Sequence, residues 1–173
     1  MHIKPDGGFF QSAWVVDDID AVMKAWAAQG VGPFFVFRHA KVTDYVYRGK
    51  PATVDFSASL CQCGPIQIEL IQQHDDLPSH YRDSFASGQS GFHHMCRFTR
   101  DFDADLAIFA GRGNVAACTG LSGDMRFAYI DTRRDLGFMT EIIEDKPSIR
   151  GLFDMVSEGA VNWDGRDPVR EVG

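Results

Sequence analysis

The sequence predicts an α+β fold made of two tandem βαβββ modules along 173 residues. Two observations lead to this prediction. In each half a strand leads into a helix at the same spacing, because Gln11 and His94 both lie seven residues before an acidic helix cap. Each half also ends on an apolar strand with a glutamate at its centre, Glu69 in the first half and Glu141 in the second. Weak similarity that recurs at several corresponding points is typical of a duplicated unit.

The first module is predicted over about residues 8–72. It opens with a segment rich in aromatic and β-branched residues, and Asp17 and Asp18 then offer an N-cap for a run of apolar residues at helical spacing. Alternating apolar and polar residues indicate the later strands. The predicted elements are strands at 8–16, 33–37, 52–61 and 66–72, a helix at 19–28 and a turn region at 45–50.

The second module is predicted over about residues 91–145, after a polar linker at 74–91 with a short helix near 79–86. Its pattern repeats that of the first module. The predicted elements are strands at 92–99, 115–118, 126–131 and 138–143 and a helix that Asp101 and Asp103 begin. A C-terminal helical tail at 146–173 completes one domain that spans 1–173.

Composition narrows the function classes. The net charge of −7 and the isoelectric point of about 5.2 argue against a nucleic-acid-binding protein and against attraction to an anionic membrane. No run of 18 apolar residues is present, and the first residues contain no hydrophobic signal core. We therefore expect a cytoplasmic protein whose partner is a small molecule, with no nucleic-acid or membrane partner.

The repeat brings four polar positions into register: Gln11, Glu69, His94 and Glu141. Burying a carboxylate within an apolar strand is costly unless it is paired or binds a metal. Strand alternation places Gln11, His94 and Glu141 each among apolar residues on one face of its strand, and we expect the neighbouring His93 to point the opposite way. The alternatives are glutamates that pair with arginines or lie near solvent at strand ends, and a His94 that is a hydrogen-bonded core residue.

At these residues the chain resembles the vicinal oxygen chelate superfamily, which includes glyoxalase I, methylmalonyl-CoA epimerase, extradiol dioxygenases and bleomycin-resistance proteins. It looks most like the glyoxalase-like proteins near methylmalonyl-CoA epimerase. The resemblance spans roughly 8–145 and implies a cupped mixed β-sheet around a central site, with helices outside. The residues that carry it lie at 11–18, 94–101, 64–70, 127–131 and 137–141.

The resemblance also implies a metal site and a homodimer. The family's ligand positions fall on Gln11, Glu69, His94 and Glu141, and only Gln11 departs, because the family usually has histidine there. An amide oxygen can coordinate a hard divalent ion, but it lowers the expected affinity for zinc. The resemblance therefore does not determine the identity of the metal, which is one of zinc, nickel, cobalt, manganese and magnesium.

These features predict a divalent-metal-dependent enzyme that abstracts a proton from a small oxygen-chelating substrate, as an isomerase, epimerase or lyase. Glu141 or Glu69 would be the catalytic group that moves the proton. The alternative is a non-catalytic small-molecule-binding protein of the bleomycin-resistance type, which Gln11 supports. A third hypothesis is a structural subunit of a larger complex, which no feature of the sequence specifically supports.

Overall fold

A computed structural model describes residues 8–172, in which eleven strands form a single mixed sheet. The first half of the chain forms β1 (Gln11–Val15), α1 (Ile19–Ala28), β2 (Phe34–Phe37), β3 (Thr43–Tyr47), β4 (Lys50–Pro51), β5 (Phe56–Cys63) and β6 (Ile66–Gln73). The second half forms β7 (Gly91–Thr99), α2 (Phe102–Gly111), β8 (Ala116–Ser122), β9 (Met125–Ile130), α3 (Arg133–Leu136) and β10 (Met139–Glu144). The chain then adds α4 (Pro147–Ala160) and β11 (Val169–Glu171).

Strand order shows the duplication. The sheet runs β11-β2-β5-β6-β1-β7-β10-β9-β8-β3-β4. In each half the first strand pairs in parallel with the last, β1 with β6 and β7 with β10, and the two first strands pair antiparallel at the centre. This arrangement confirms the predicted α+β fold of two βαβββ modules. The proposed limits of the modules, 8–72 and 91–145, remain a prediction.

The two module helices begin at equivalent aspartates. The side chain of Asp18 accepts a hydrogen bond from the backbone N–H of Ala21, and Asp101 does the same for Ala104. Such a cap typically stabilises a helix by roughly 0.5–2 kcal/mol. Helix α1 then buries Met23 against the outer face of the sheet, where it packs in one cluster with residues of β2, β5 and β6.

A hairpin from the first half explains why the sheet is cupped. Strands β3 and β4 leave their own module and extend the far end of the sheet, where β3 pairs with β8. Only residues 38–42 connect β2 with β3, and the span from Phe37 to Thr43 covers at most about 22 Å when fully extended. The two ends of the sheet must therefore curl toward each other around the concave face.

Two predictions from the sequence were wrong, one in this hairpin and one in the segment after β6. The turn predicted at 45–50 overlaps β3, whose aromatic and β-branched residues pair with a strand that lies some 75 residues away in sequence. The short helix predicted at 79–86 is a series of hydrogen-bonded turns. Local patterns do not reveal a distant pairing partner, and the polar 79–86 segment is fixed by its contacts with the rest of the molecule.

The C-terminal segment completes the concave side. Helix α4 packs over β5, and its Leu152, Phe153 and Val156 join Phe35 and Leu60 in one apolar cluster. Strand β11, which the sequence did not predict, pairs in parallel with β2. Within residues 8–172, none of the helices is both long and apolar enough to cross a membrane.

Candidate functional site

Three of the four predicted site residues meet at the bottom of the cup. The Nε2 atom of His94 lies 3.2 Å from a carboxylate oxygen of Glu69 and 3.2 Å from one of Glu141. The three atoms that could bind a metal all lie within 4.8 Å of one another. His94 is fully buried, and the side chains of Glu69 and Glu141 are only 14% and 10% exposed.

Strand register explains how the three residues converge. Ala13 at the centre of β1 is paired on one side with Glu69 of β6 and on the other with His94 of β7. Because the alanine side chain is a single methyl group, the two longer side chains can approach each other over it. In the next row along the same face, Cys96 is paired with both Gln11 and Glu141. The four predicted positions thus occupy two adjacent rows across the four central strands.

Gln11 lines the same cavity as Glu69 and Glu141. Its amide nitrogen donates a 2.7 Å hydrogen bond to the side-chain oxygen of Gln67, and both residues are buried. This contact directs the nitrogen away and leaves the Gln11 oxygen as the group that can bind a ligand. Sequence reasoning missed Gln67 as a site residue, although its position two residues before Glu69 places it on the same face of β6.

A β-bulge changes the expected direction of His93. Ala13 pairs with His94 and Trp14 pairs with Phe92, so His93 is an extra residue with no partner on β1. In such a bulge the usual alternation of side chains is interrupted. The expectation that His93 points the opposite way from His94 was therefore wrong, because the two imidazoles lie side by side with their Nδ1 atoms 3.0 Å apart.

Burial and charge set the protonation states of this pair. Burial and the neighbouring His94 lower the pKa of His93 to about 3. Burial would also lower the pKa of His94, but contact with Glu141 and Glu69 raises it to about 9. Burial raises the pKa of Glu69, although contact with His94 opposes that shift. A protonated His94 between the two carboxylates is thus the stable arrangement without a metal.

The donor set fits a divalent metal ion. His94 Nε2 and the nearest oxygen of Glu69 are both buried. Although they lie 3.2 Å apart, neither atom has a partner in hydrogen-bond geometry among the described residues. A buried polar atom without a partner is costly. One imidazole, two carboxylates and the amide oxygen of Gln11 are ligand types that divalent ions accept. Two carboxylates also balance the charge of such an ion.

Above the carboxylates lies a cavity of about 280 Å³ with mostly apolar walls. Both halves of the chain contribute walls, as does helix α4. The apolar residues include Val54, Phe56, Met125, Phe127, Leu152 and Phe153. The segment after β6 adds His80 and Tyr81, which sequence reasoning did not single out because their segment looks like a polar linker. A cavity of this kind suits a small organic molecule with a few polar atoms.

Fold and site together define a class of protein in which paired βαβββ modules surround a polar centre. The family model described as Glyoxalase/Bleomycin resistance protein/Dioxygenase superfamily matches residues 10–129, most of the chain, and the chain belongs to this superfamily. This match confirms the resemblance found in the sequence.

Many solved structures are similar to the chain, including the following two. Methylmalonyl-CoA epimerase from Mycobacterium tuberculosis superposes with a TM-score of 0.55 and 13% sequence identity, covering 87% of this chain and 96% of that one. A hypothetical protein from Bacillus halodurans C-125 gives a TM-score of 0.55 and 13% identity, covering 80% and 94%. No curated protein matches the sequence. At this level of identity the likeness concerns the fold alone.

Proposed function

We propose that the chain is a divalent-metal-dependent enzyme that moves a proton on a small oxygen-chelating substrate, in an isomerase, epimerase or lyase reaction. The observation that carries the proposal is the convergence of His94 Nε2 with Glu69 and Glu141 beneath an apolar cavity. Similarity in fold to a methylmalonyl-CoA epimerase makes epimerisation of an acyl thioester the first reaction to test.

His94, Glu69, Glu141 and the oxygen of Gln11 would hold the metal. A bound divalent ion would supply Lewis-acid polarisation of the substrate oxygens and make the adjacent C–H bond more acidic. The substrate would enter the cavity with its oxygens toward the carboxylates. The apolar walls would exclude water and so strengthen the electrostatic interactions at the reacting atoms.

Glu141 would take the proton from the substrate carbon and return it in the second half of the reaction. A carboxylate with two oxygens can keep one near the metal while the other accepts a proton. In an epimerisation, Glu69 would instead be the group that returns the proton, on the opposite face of the carbon. Proton transfer by a positioned side chain typically contributes about 10²–10⁴-fold to the rate.

Metal analysis tests the first half of this proposal. The purified protein would be stripped with a chelator and titrated calorimetrically with zinc, nickel, cobalt, manganese and magnesium. We expect at least one of these metals to bind with one ion per chain. Binding should be lost in the double variant that combines Glu69→Gln with Glu141→Gln. The matched control is Glu158→Gln, which changes an exposed carboxylate on α4 and should bind like the wild type.

A proton-exchange assay tests the second half. Methylmalonyl-CoA and smaller acyl thioesters would be incubated with the metal-loaded protein in D₂O, and loss of the proton next to the carbonyl would be followed by NMR. Exchange that depends on the metal supports the enzyme. A protein that takes up no metal but binds small apolar molecules would instead support the binding-protein alternative, which Gln11 and the apolar cavity favour.

A further inference from the structure

We propose that His93 is a positioning residue that holds His94 with its Nε2 atom toward the two carboxylates. The inference rests on the proposed metal site, because it assigns which nitrogen of His94 that site uses. Two contacts of His93 carry it. Its Nε2 lies 3.1 Å from the backbone carbonyl oxygen of His80, and its Nδ1 lies 3.0 Å from Nδ1 of His94.

The carbonyl of His80 determines where the proton of His93 lies. A carbonyl oxygen only accepts hydrogen bonds, so Nε2 of His93 must be the nitrogen that carries the proton. The ring is buried and packs against the aromatic rings of Tyr81, Phe85 and Tyr129, so it holds a single proton. Its Nδ1 atom therefore has a lone pair and accepts a hydrogen bond.

This proton position determines the direction of the hydrogen bond between His93 and His94. Because Nδ1 of His93 accepts, Nδ1 of His94 must donate. The proton of a neutral His94 is then on Nδ1, and the lone pair of Nε2 faces Glu69 and Glu141, where a metal ligand is needed. Without this contact the His94 ring could rotate and present either nitrogen. Partners of this kind fix the tautomer and orientation of metal-bound histidines.

The arrangement depends on the β-bulge. In a regular strand, adjacent residues point to opposite faces and could not form this contact. The bulge opposite Ala13 and Trp14 places both imidazoles on one side, and the turns after β6 bring the His80 carbonyl to the far side of the His93 ring. Two separate segments of the chain thus converge to orient one nitrogen.

Two substitutions separate this role from simple packing. His93→Leu keeps an apolar side chain in the space but removes both hydrogen bonds. His93→Asn keeps an acceptor oxygen close to the position of Nδ1. The matched control is Phe85→Leu, which loosens the packing around the same ring without removing a hydrogen bond. Thermal unfolding would show that each variant is folded before its metal affinity is measured.

Zinc and cobalt affinities would be measured by competition with a chelator. We expect His93→Leu to bind roughly 10- to 100-fold more weakly, the usual effect of losing such a partner. His93→Asn should recover most of that loss, and Phe85→Leu should bind like the wild type. Equal affinity of His93→Leu and wild type would overturn the inference, as would an equal loss in all three variants.

A second measurement is independent of metal affinity. In ¹⁵N-labelled wild-type protein, NMR should detect a coupling across the N–H···N bond between the two Nδ1 atoms, with the proton on His94. A proton on Nδ1 of His93 would overturn the inference. A wild-type protein that binds none of the metals would overturn the proposed function, and the NMR result would still decide whether His93 orients His94.

Discussion

At the scale of single residues, charge balance determines what the floor of the cavity can bind. Two nearly buried carboxylates face one imidazole, so the net charge of the three side chains is −1 when His94 is protonated and −2, which balances a divalent ion, when His94 is neutral. The sequence predicted the faces of these residues because strand alternation is a local property. It could not predict the direction of His93, because a bulge depends on how two strands pair.

Replacing Glu141 with glutamine should separate chemistry from folding. Glu141→Gln keeps the shape of the side chain and one oxygen, but it removes the group proposed to accept the proton. We expect turnover to fall at least about 10²-fold, within the range for loss of a general base. Measurement of kcat with a substrate found in the exchange assay would check this.

The control for that experiment is Glu158→Gln, together with thermal unfolding of both variants. Turnover that is unchanged in Glu141→Gln would remove Glu141 from the mechanism and make Glu69 the preferred base. A loss of cooperative unfolding in Glu141→Gln would show instead that the glutamate is needed for the fold.

At the scale of elements, an ion network fastens the β3–β4 hairpin over the second module. Arg48 in the hairpin turn donates hydrogen bonds to Asp83 and Asp131, and Arg133 donates two to Asp131. The helices and most strands were predictable from local periodicity and caps. The position of this hairpin was not, because it depends on pairing with β8 and on charges from three separate segments.

Asp131→Asn should weaken this network in a pH-dependent way. The hydrogen bonds from Arg133, reinforced by Arg48, hold the pKa of Asp131 well below its usual value of about 3.9. A lowered folded-state pKa contributes stability above pH ~4 that is lost as the pH falls further. We expect Asp131→Asn to reduce the free energy of unfolding by about 1–3 kcal/mol at pH 7, as for hydrogen bonds to charged groups.

Urea unfolding at several pH values would measure this difference. The gap between wild type and Asp131→Asn should stay constant above pH ~5 and narrow below pH ~4. Asp44→Asn, an exposed position on the same hairpin, is the control and should leave stability nearly unchanged. A gap that is independent of pH down to pH 2 would contradict the role assigned to the carboxylate.

Helix α4 offers a matched pair of glycines. A methyl group on Gly159 would lie 2.6 Å from the buried ring of Phe35, whereas one on Gly151 would meet nothing within 4 Å. Both residues are helical, so alanine at Gly151 should stabilise the protein by about 0.5–1 kcal/mol. Alanine at Gly159 should instead destabilise it by about 1–3 kcal/mol through overpacking.

Thermal unfolding of the two variants would check this contrast. Opposite signs of the change in Tm would support close packing of α4 against β2. A Gly159→Ala protein as stable as Gly151→Ala would show that the helix can shift away from the sheet, and that the wall it gives the cavity is adjustable.

At the scale of the whole molecule, neither half is complete without the other. The two modules pair backbone to backbone between β1 and β7, and the site takes residues from both. The hairpin of the first half extends the sheet of the second, so separating the halves would expose strand edges and the apolar concave face. The sequence predicted the duplicated order of the elements. It did not predict that the hairpin of the first half would pair with β8 of the second.

This interdependence predicts a single cooperative unfolding transition. Two of the three tryptophans, Trp14 and Trp26, lie in the first half, and the third lies in the C-terminal segment, so tryptophan fluorescence reports mainly the first half and, through the contact of Trp14 with Phe92, its junction with β7. Far-UV circular dichroism reports both modules. If the halves unfold together, the two signals should change at the same urea concentration, as in two-state unfolding. A fluorescence transition that clearly precedes or follows the dichroism transition would show that the modules unfold independently, and the single domain inferred from the sequence would then have to be divided into two.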